Sequence, residues 1–226
     1  MKHKNYLICF DLDGVLIDSM EFANRLFYKI AKEELGLKRD YFKEDPYNAT
    51  AIHDRFEPLW GDEIRERGIG GDQLVNVVNR FRKEKMEAKL PPLPHAIETV
   101  KRMAEHFENI ACVSSNAHFV IEDILKKLQI DHLFGRITGC DEVEMSKPHP
   151  AIYQVTLDHF NITPEKGITF EDSIHGINAA KGAGMKAIGV GTGLDSMESL
   201  QKSSADLVIP NLSEATIKNV SQVLGL

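Results

Sequence analysis

The sequence predicts an α/β fold, a parallel sheet with helices on both faces, carrying an all-helical insert behind its first strand. Beyond Pro94, short apolar runs alternate with helical stretches, the pattern of parallel strands joined by crossover helices. Between Ser19 and Leu90 no stretch reads as a strand, and Pro91, Pro92 and Pro94 close that segment off. The expected division is a core of residues 1–17 and 92–226 with a helical cap of residues 18–91. A chain of 226 residues suits one large domain, or a core with a smaller insert.

The first strand is the run from Tyr6 to Phe10, short and apolar as a fully buried strand is. It ends on Asp11, Leu12, Asp13 and Gly14. Asp18 and Ser19 offer an N-cap for a helix with Phe22, Leu26, Ile30 and Ala31 on one face, which Gly36 stops. From Leu37 to Gly71 the chain is polar and broken by Pro46, Pro58 and the cluster around Gly70; a short helix over Ala51 to Trp60 is favoured there. A long helix follows from Asp72 to Leu90, with Leu74, Val77, Val78 and Phe81 at helical spacing. Helices are then expected over Ile97–Phe107, His118–Leu128, Pro150–Phe160 and Ile174–Gly184. Strands are expected over Ile110–Val113, Arg136–Thr138, Gly167–Phe170, Lys186–Val190 and Leu207–Ile209.

Composition narrows the class. At 42% hydrophobic and 27% charged residues, the chain can build an ordinary globular core. A net charge of −7 argues against a nucleic-acid or anionic-membrane surface. No apolar run approaches the roughly 18 residues that span a bilayer. No signal-peptide segment follows Met1 to Asn5, so a cytoplasmic location is expected. Cys9, Cys112 and Cys140 lack metal-like spacing, and an odd count makes a disulfide framework unexpected. Gly189 to Gly193 lacks the Lys-Ser/Thr of a nucleotide loop and reads as a connection.

The chemistry is carried by strand ends. In an open parallel sheet, ligands bind outside the carboxyl ends of the strands. Asp11 and Asp13, two residues apart, project to the same side there. A calcium loop is excluded, because counting from Asp11 puts Leu16 and Phe22 where glycine and glutamate are needed. A solvated turn remains open, as does a magnesium site with a carboxylate nucleophile for phosphoryl transfer. The latter requires a hydroxyl, a lysine and a further acid downstream. Ser114, Ser115 and Asn116 end one strand and can bind a phosphate oxygen with nearby backbone N–H groups. Lys147 precedes Pro148, which biases its backbone toward an extended form. Glu171 and Asp172 end a third strand and supply the missing acids. Carboxylates converging without a cation would repel by on the order of 4 kcal/mol per close pair at an effective dielectric near 20; Mg²⁺ reverses that sign.

These segments, FDLDGVLIDS, CVSSN, SKPHP and FEDSIHGINAAKGAGM, resemble in order the four motifs of the haloacid dehalogenase-like hydrolase superfamily. The resemblance covers nearly the whole chain. It implies a Rossmann-like core with a helical cap between the first two motifs, in the manner of β-phosphoglucomutases and phosphoglycolate phosphatases. It further implies that Asp11 is the nucleophile and Asp13 the acid–base. Ser114 and Lys147 would hold the phosphoryl group, with Ser115 and Asn116 beside it. Mg²⁺ would be held by Asp11, the Asp13 carbonyl and Asp172, with Glu171 close by. An acid at position 13 is the mark of members that cleave phosphate esters, so the expected substrate is a small-molecule phosphate ester.

Rivals leave marks of their own. Sugar-phosphate mutases of this family have a histidine where this chain has Ala23, and a Gly-x-Ser-Arg cap motif not found here. Receiver modules are about half this length and order their acids differently. Phosphonate cleavage needs a cap lysine, and Lys29 and Lys43 read as surface residues. In the cap, Asn48, Thr50, His53 and Arg55 are the polar residues with a chance of facing the crevice, and Trp60 reads as packing. His149 reads as a turn residue. Pro94-His95 stands where many relatives have Pro-Gly.

Overall fold

The computed structural model describes residues 2–38 and 50–226. Six parallel strands form one sheet in the order β3-β2-β1-β4-β5-β6. They are β1 (His3–Phe10), β2 (Phe107–Val113), β3 (Arg136–Thr138), β4 (Gly167–Glu171), β5 (Lys186–Val190) and β6 (Leu207–Ile209). Strand order reverses at β1, which places the ligand crevice of such a sheet beyond the ends of β1, β2 and β4.

Alternation along β1 shows why helices lie on both faces. Ile8 and Phe10 pack with α4 (Ala96–His106), α5 (His118–Lys127) and α9 (Ile217–Leu224), through Val100, Ile121 and Val220. Leu7 and Cys9 face the other way, toward α6 (Ala151–Phe160), α7 (Ile174–Gly182) and α8 (Met197–Gln201), through Tyr153, Ile177 and Leu200. A strand apolar on both faces must be covered twice. The expected core elements are all present within a few residues. Two helices, α8 and α9, were not expected, although Ser196 and Thr216 cap them with their side chains.

The insert consists of α1 (Met20–Leu35), α2 (Phe56–Glu66, after a helical turn over Ile52–Arg55) and α3 (Gly71–Glu87). Among its described residues there is no strand. It has a hydrophobic cluster of its own, including Leu26, Phe27, Ile30, Trp60, Val77 and Phe81. Trp60 is buried in it, as expected. Phe22 is not: it is 37% exposed, one position off the buried stripe. Ser19 precedes α1, but its hydroxyl makes no cap and donates instead to Asp13. The two crossings between insert and core run side by side, through Asp18 N–H to Pro91 O at 3.0 Å and Leu93 N–H to Leu16 O at 2.9 Å.

Candidate active site

Strand register brings the acids together. Phe10 lies opposite Cys112 on one side and Phe170 on the other, so the residues after each strand emerge at one level. The Asp11 N–H donates to Phe170 O at 3.0 Å, extending β1 by one residue. Asp11, Asp13, Ser114, Ser115, Asn116, Lys147 and Asp172 then line one cavity of about 70 Å³ between core and insert.

Lys147 is the buried centre of the floor. Its ammonium donates to Asp11 Oδ1 at 3.0 Å, Glu171 Oε1 at 2.7 Å and Val113 O at 2.9 Å. Burial alone would lower the Lys147 pKa; the charges of Asp11 and Glu171 outweigh it and raise it, keeping the ammonium charged. Glu171 does not line the cavity but stands behind Lys147, where Tyr153 also donates to it. Tyr153 in turn contacts Thr169 at 3.0 Å. Asp172 is held from the far side: Leu194 N–H donates to its Oδ2 at 2.8 Å. A Cβ on Gly14, whose φ is +72°, would stand 2.1 Å from that same oxygen, and one on Gly193 would stand 1.9 Å from it. The stretch ending at Gly193 is thus a connection, as expected, but one whose last glycine lets the backbone close on Asp172.

Asp11, Glu171 and Asp172 each offer an oxygen, all within 4.8 Å of one another. Burial pushes all three carboxyls up, Glu171 to about 7, and mutual repulsion pushes Asp172 further. Glu171 Oε2 is buried with no hydrogen-bond partner among the described residues. An all-oxygen, anionic donor set with an unsatisfied oxygen fits a hard divalent cation such as Mg²⁺.

Asp13 sits in a different environment. Lys85, from α3 of the insert and only 2% exposed, donates to its two oxygens at 2.7 and 2.9 Å. Asn116 Nδ2 donates to Asp13 at 2.5 Å and to Ser114 Oγ at 2.8 Å, while its Oδ1 accepts from Lys85 at 3.0 Å. Burial would raise the Asp13 pKa; Lys85, Ser19 and Asn116 outweigh it and hold the carboxyl below its usual value. Asn116 is thereby turned toward protein partners, fixing Ser114, Asp13 and Lys85 relative to one another.

Sequence reasoning missed Lys85 and Tyr153. The signal for Lys85 was present: it falls on the buried stripe of Leu74, Val77, Val78 and Phe81, where a charge requires a buried partner. Nothing in the sequence marks Tyr153 among the apolar positions of α6. Of the cap residues, Thr50 and Arg55 line the cavity, with Arg55 stacked 4.4 Å from the Phe27 ring centre. His53 is exposed beside Asp54, and Lys29 is exposed. Asn48 and Lys43 lie outside the described residues. Ala23 is on the cavity wall. His149 closes a turn, accepting from Ala151 N–H at 3.3 Å.

An anionic oxygen cluster at the switch point of a parallel sheet, with one lysine buried against it, is suited to hold a divalent cation and a phosphoryl group. The family follows from residues 8–190, which match the model of the haloacid dehalogenase-like hydrolases; the chain belongs to that family. Pyrophosphatase PpaX of Bacillus mycoides is 25% identical over 209 residues, covering 92% of this chain and 93% of that protein. A predicted phosphoglycolate phosphatase from Haemophilus somnus superposes with a TM-score of 0.79 at 22% identity, over 97% of this chain and 99% of that one. β-Phosphoglucomutase from Clostridium difficile gives 0.80 at 20% identity, over 97% of each chain. At such identities the structures share the fold.

Proposed function

We propose that the protein is a Mg²⁺-dependent phosphatase that hydrolyses a small phosphorylated metabolite, of sugar-phosphate or phosphoglycolate type, through an aspartyl-phosphate on Asp11. The observation that supports it best is the pairing of environments: Asp11 against buried Lys147, and Asp13, two residues on, against a lysine of the insert. Neighbouring carboxylates held in different environments are the usual basis for dividing nucleophile from acid–base.

Asp11 attacks phosphorus in line, the bond to the leaving oxygen breaks, and Asp13 gives that oxygen a proton. Asp13 then takes a proton from the water that cleaves the acyl phosphate, releasing phosphate and restoring Asp11. Lys85, Asn116 and Ser19 favour the ionised Asp13 that the second half needs. The negative charge of an incoming phosphate opposes them and favours the protonated form that the first half needs. Ser114 and Lys147 hold the phosphoryl oxygens. Asp11, Asp172, Glu171 and the Asp13 carbonyl would hold Mg²⁺, which when bound offsets the charge of the phosphoryl group. Acid–base help supplies only about 10²–10⁴ of the rate, so the covalent relay and positioning supply much of the remainder. The helical insert acts as the cap, closing over the crevice and excluding water.

Ala23 on the cavity wall favours hydrolysis over a mutase, since no imidazole stands there to assist return of the phosphoryl group. Asp11→Asn should reduce turnover of an aryl phosphate with Mg²⁺ by at least about 10³-fold, the scale of nucleophile removal. Near-normal turnover would overturn the assignment. With glucose 1-phosphate as probe, free phosphate supports the hydrolase and glucose 6-phosphate the mutase.

A further inference from the structure

We propose that Arg82 makes this site selective for compact phosphate esters or anhydrides whose leaving group carries, or is, a second anionic group, a carboxylate or another phosphate. The proposal rests on the phosphatase reading and deepens it.

Arg82 lies on α3 one turn before Lys85, and both line the cavity. Lys85, Lys147 and Arg82 differ in how they are balanced. Lys85 is paired with Asp13, and Lys147 with Asp11 and Glu171. Among the described residues no carboxylate pairs with Arg82, whereas Arg80, two residues earlier, pairs with Glu33, Glu34 and Glu84. The Arg82 guanidinium is placed by an aromatic ring, 5.8 Å from the centre of Phe119, and by the Cys140 thiol on the cavity wall. The acids near that thiol are engaged elsewhere. Asp54 accepts from Ser146, and Asp141 accepts from His118 N–H at 2.8 Å.

The charges in the cavity are therefore segregated. Its carboxylates, Asp11, Asp13 and Asp172, all belong to the core floor, where the reacting phosphoryl group and its metal would sit. Arg82, like Arg55, belongs to the insert. A guanidinium partly withdrawn from water and lacking a carboxylate partner is suited to grip a planar carboxylate or a phosphate with two parallel N–H donors. Size limits what carries that anion. The cavity is small, about 70 Å³. A cavity of that size favours a short leaving group, such as a two- or three-carbon acid or a second phosphate.

The test compares kcat/KM with Mg²⁺ for phenyl phosphate, 2-phosphoglycolate and inorganic pyrophosphate, in the wild-type enzyme and in Arg82→Ala and Arg82→Lys. The wild-type enzyme should prefer at least one of the two doubly anionic probes over phenyl phosphate by about tenfold or more. Whichever it prefers identifies the second group as carboxylate or phosphate. Loss of a charge-assisted pair corresponds to roughly 10–100-fold, so Arg82→Ala should lose that factor on the preferred probe, mainly in KM, and much less on phenyl phosphate. Arg82→Lys should recover part of it. Equal losses on all probes, or a wild-type preference for phenyl phosphate, would overturn the proposal while leaving the phosphatase standing. The wild-type comparison needs no variant to fold. If no probe is turned over, both readings fail together.

Discussion

His95 opens α4 in the left-handed region, at φ 67° and ψ 4°, with no side-chain cap to hold it there. For a residue with a side chain this conformation costs on the order of 1–2 kcal/mol. The Pro-Gly that the family resemblance leads one to expect at this point thus has a physical reading: the turn into α4 suits glycine. His95 is exposed, so little else opposes the change. Part of the gain is returned because glycine is more flexible in the unfolded chain. His95→Gly should stabilise the protein by about 0.5–1 kcal/mol and raise Tm by about 2 °C, as read by thermal unfolding; a lower Tm would contradict the reading. Lys85 is the opposite kind of residue. Its position satisfies a charge rather than a backbone angle, and burying it is tolerable only because Asp13 and Asn116 meet its donors.

Elements hold the site through their ends. Strands β1, β2 and β4 stop at one level, and the segment after β5 folds Gly193 against Asp172. A further tie lies away from the site, where Asp206 joins three pieces of chain. It accepts from Lys181 of α7 at 2.7 Å, from Lys186 at 3.3 Å and from Ala187 N–H of β5 at 2.9 Å. Burial would raise its pKa, but these donors lower it. A carboxyl depressed on folding contributes stability above its unfolded value, near pH 4, and loses that contribution as pH falls through the lower native value. Asp206→Asn should therefore cost about 1 kcal/mol in urea unfolding at pH 6. The gap from wild type should narrow below about pH 4; a gap that widens on acidification would contradict the assignment.

At the scale of the molecule, the insert and the core have separate hydrophobic clusters and meet across the cavity, with Lys85 reaching from one to Asp13 on the other. No helix among the described residues is long and apolar enough to cross a membrane. If the three clustered acids hold Mg²⁺ as proposed, the folded state binds it better than the unfolded chain. Mg²⁺ at a hundredfold excess over Kd should then add about 2.7 kcal/mol, several degrees in Tm, and a chelator should remove it. Gly193→Ala, by forcing Asp172 aside, should blunt that shift. An unchanged melting curve with and without Mg²⁺ in the wild-type protein would contradict the metal site.

The parallel sheet, the strandless stretch behind β1 and the residues at the strand ends were legible in the sequence, because each depends on local pattern. Apolar runs ending in Asp11, Ser114 and Glu171-Asp172 state both that a strand is buried and which residues it delivers to its end. The place of Lys147 beside those acids was legible through its position in an ordered set. What lay beyond reach came from contacts between distant segments. Lys85 against Asp13, Tyr153 behind Glu171 and Gly193 over Asp172 depend on how helices and loops pack after the strands are in place. Periodicity marks which face of a helix is buried, and says nothing of what it is buried against. For that reason local pattern puts Phe22 on the buried stripe although it lies one position off, suggests a cap at Ser19 where the hydroxyl bonds Asp13, and does not mark Arg82. The partner of a buried charge is chosen by the tertiary structure, since the electrostatic balance that makes burial tolerable is set by groups far away in the chain.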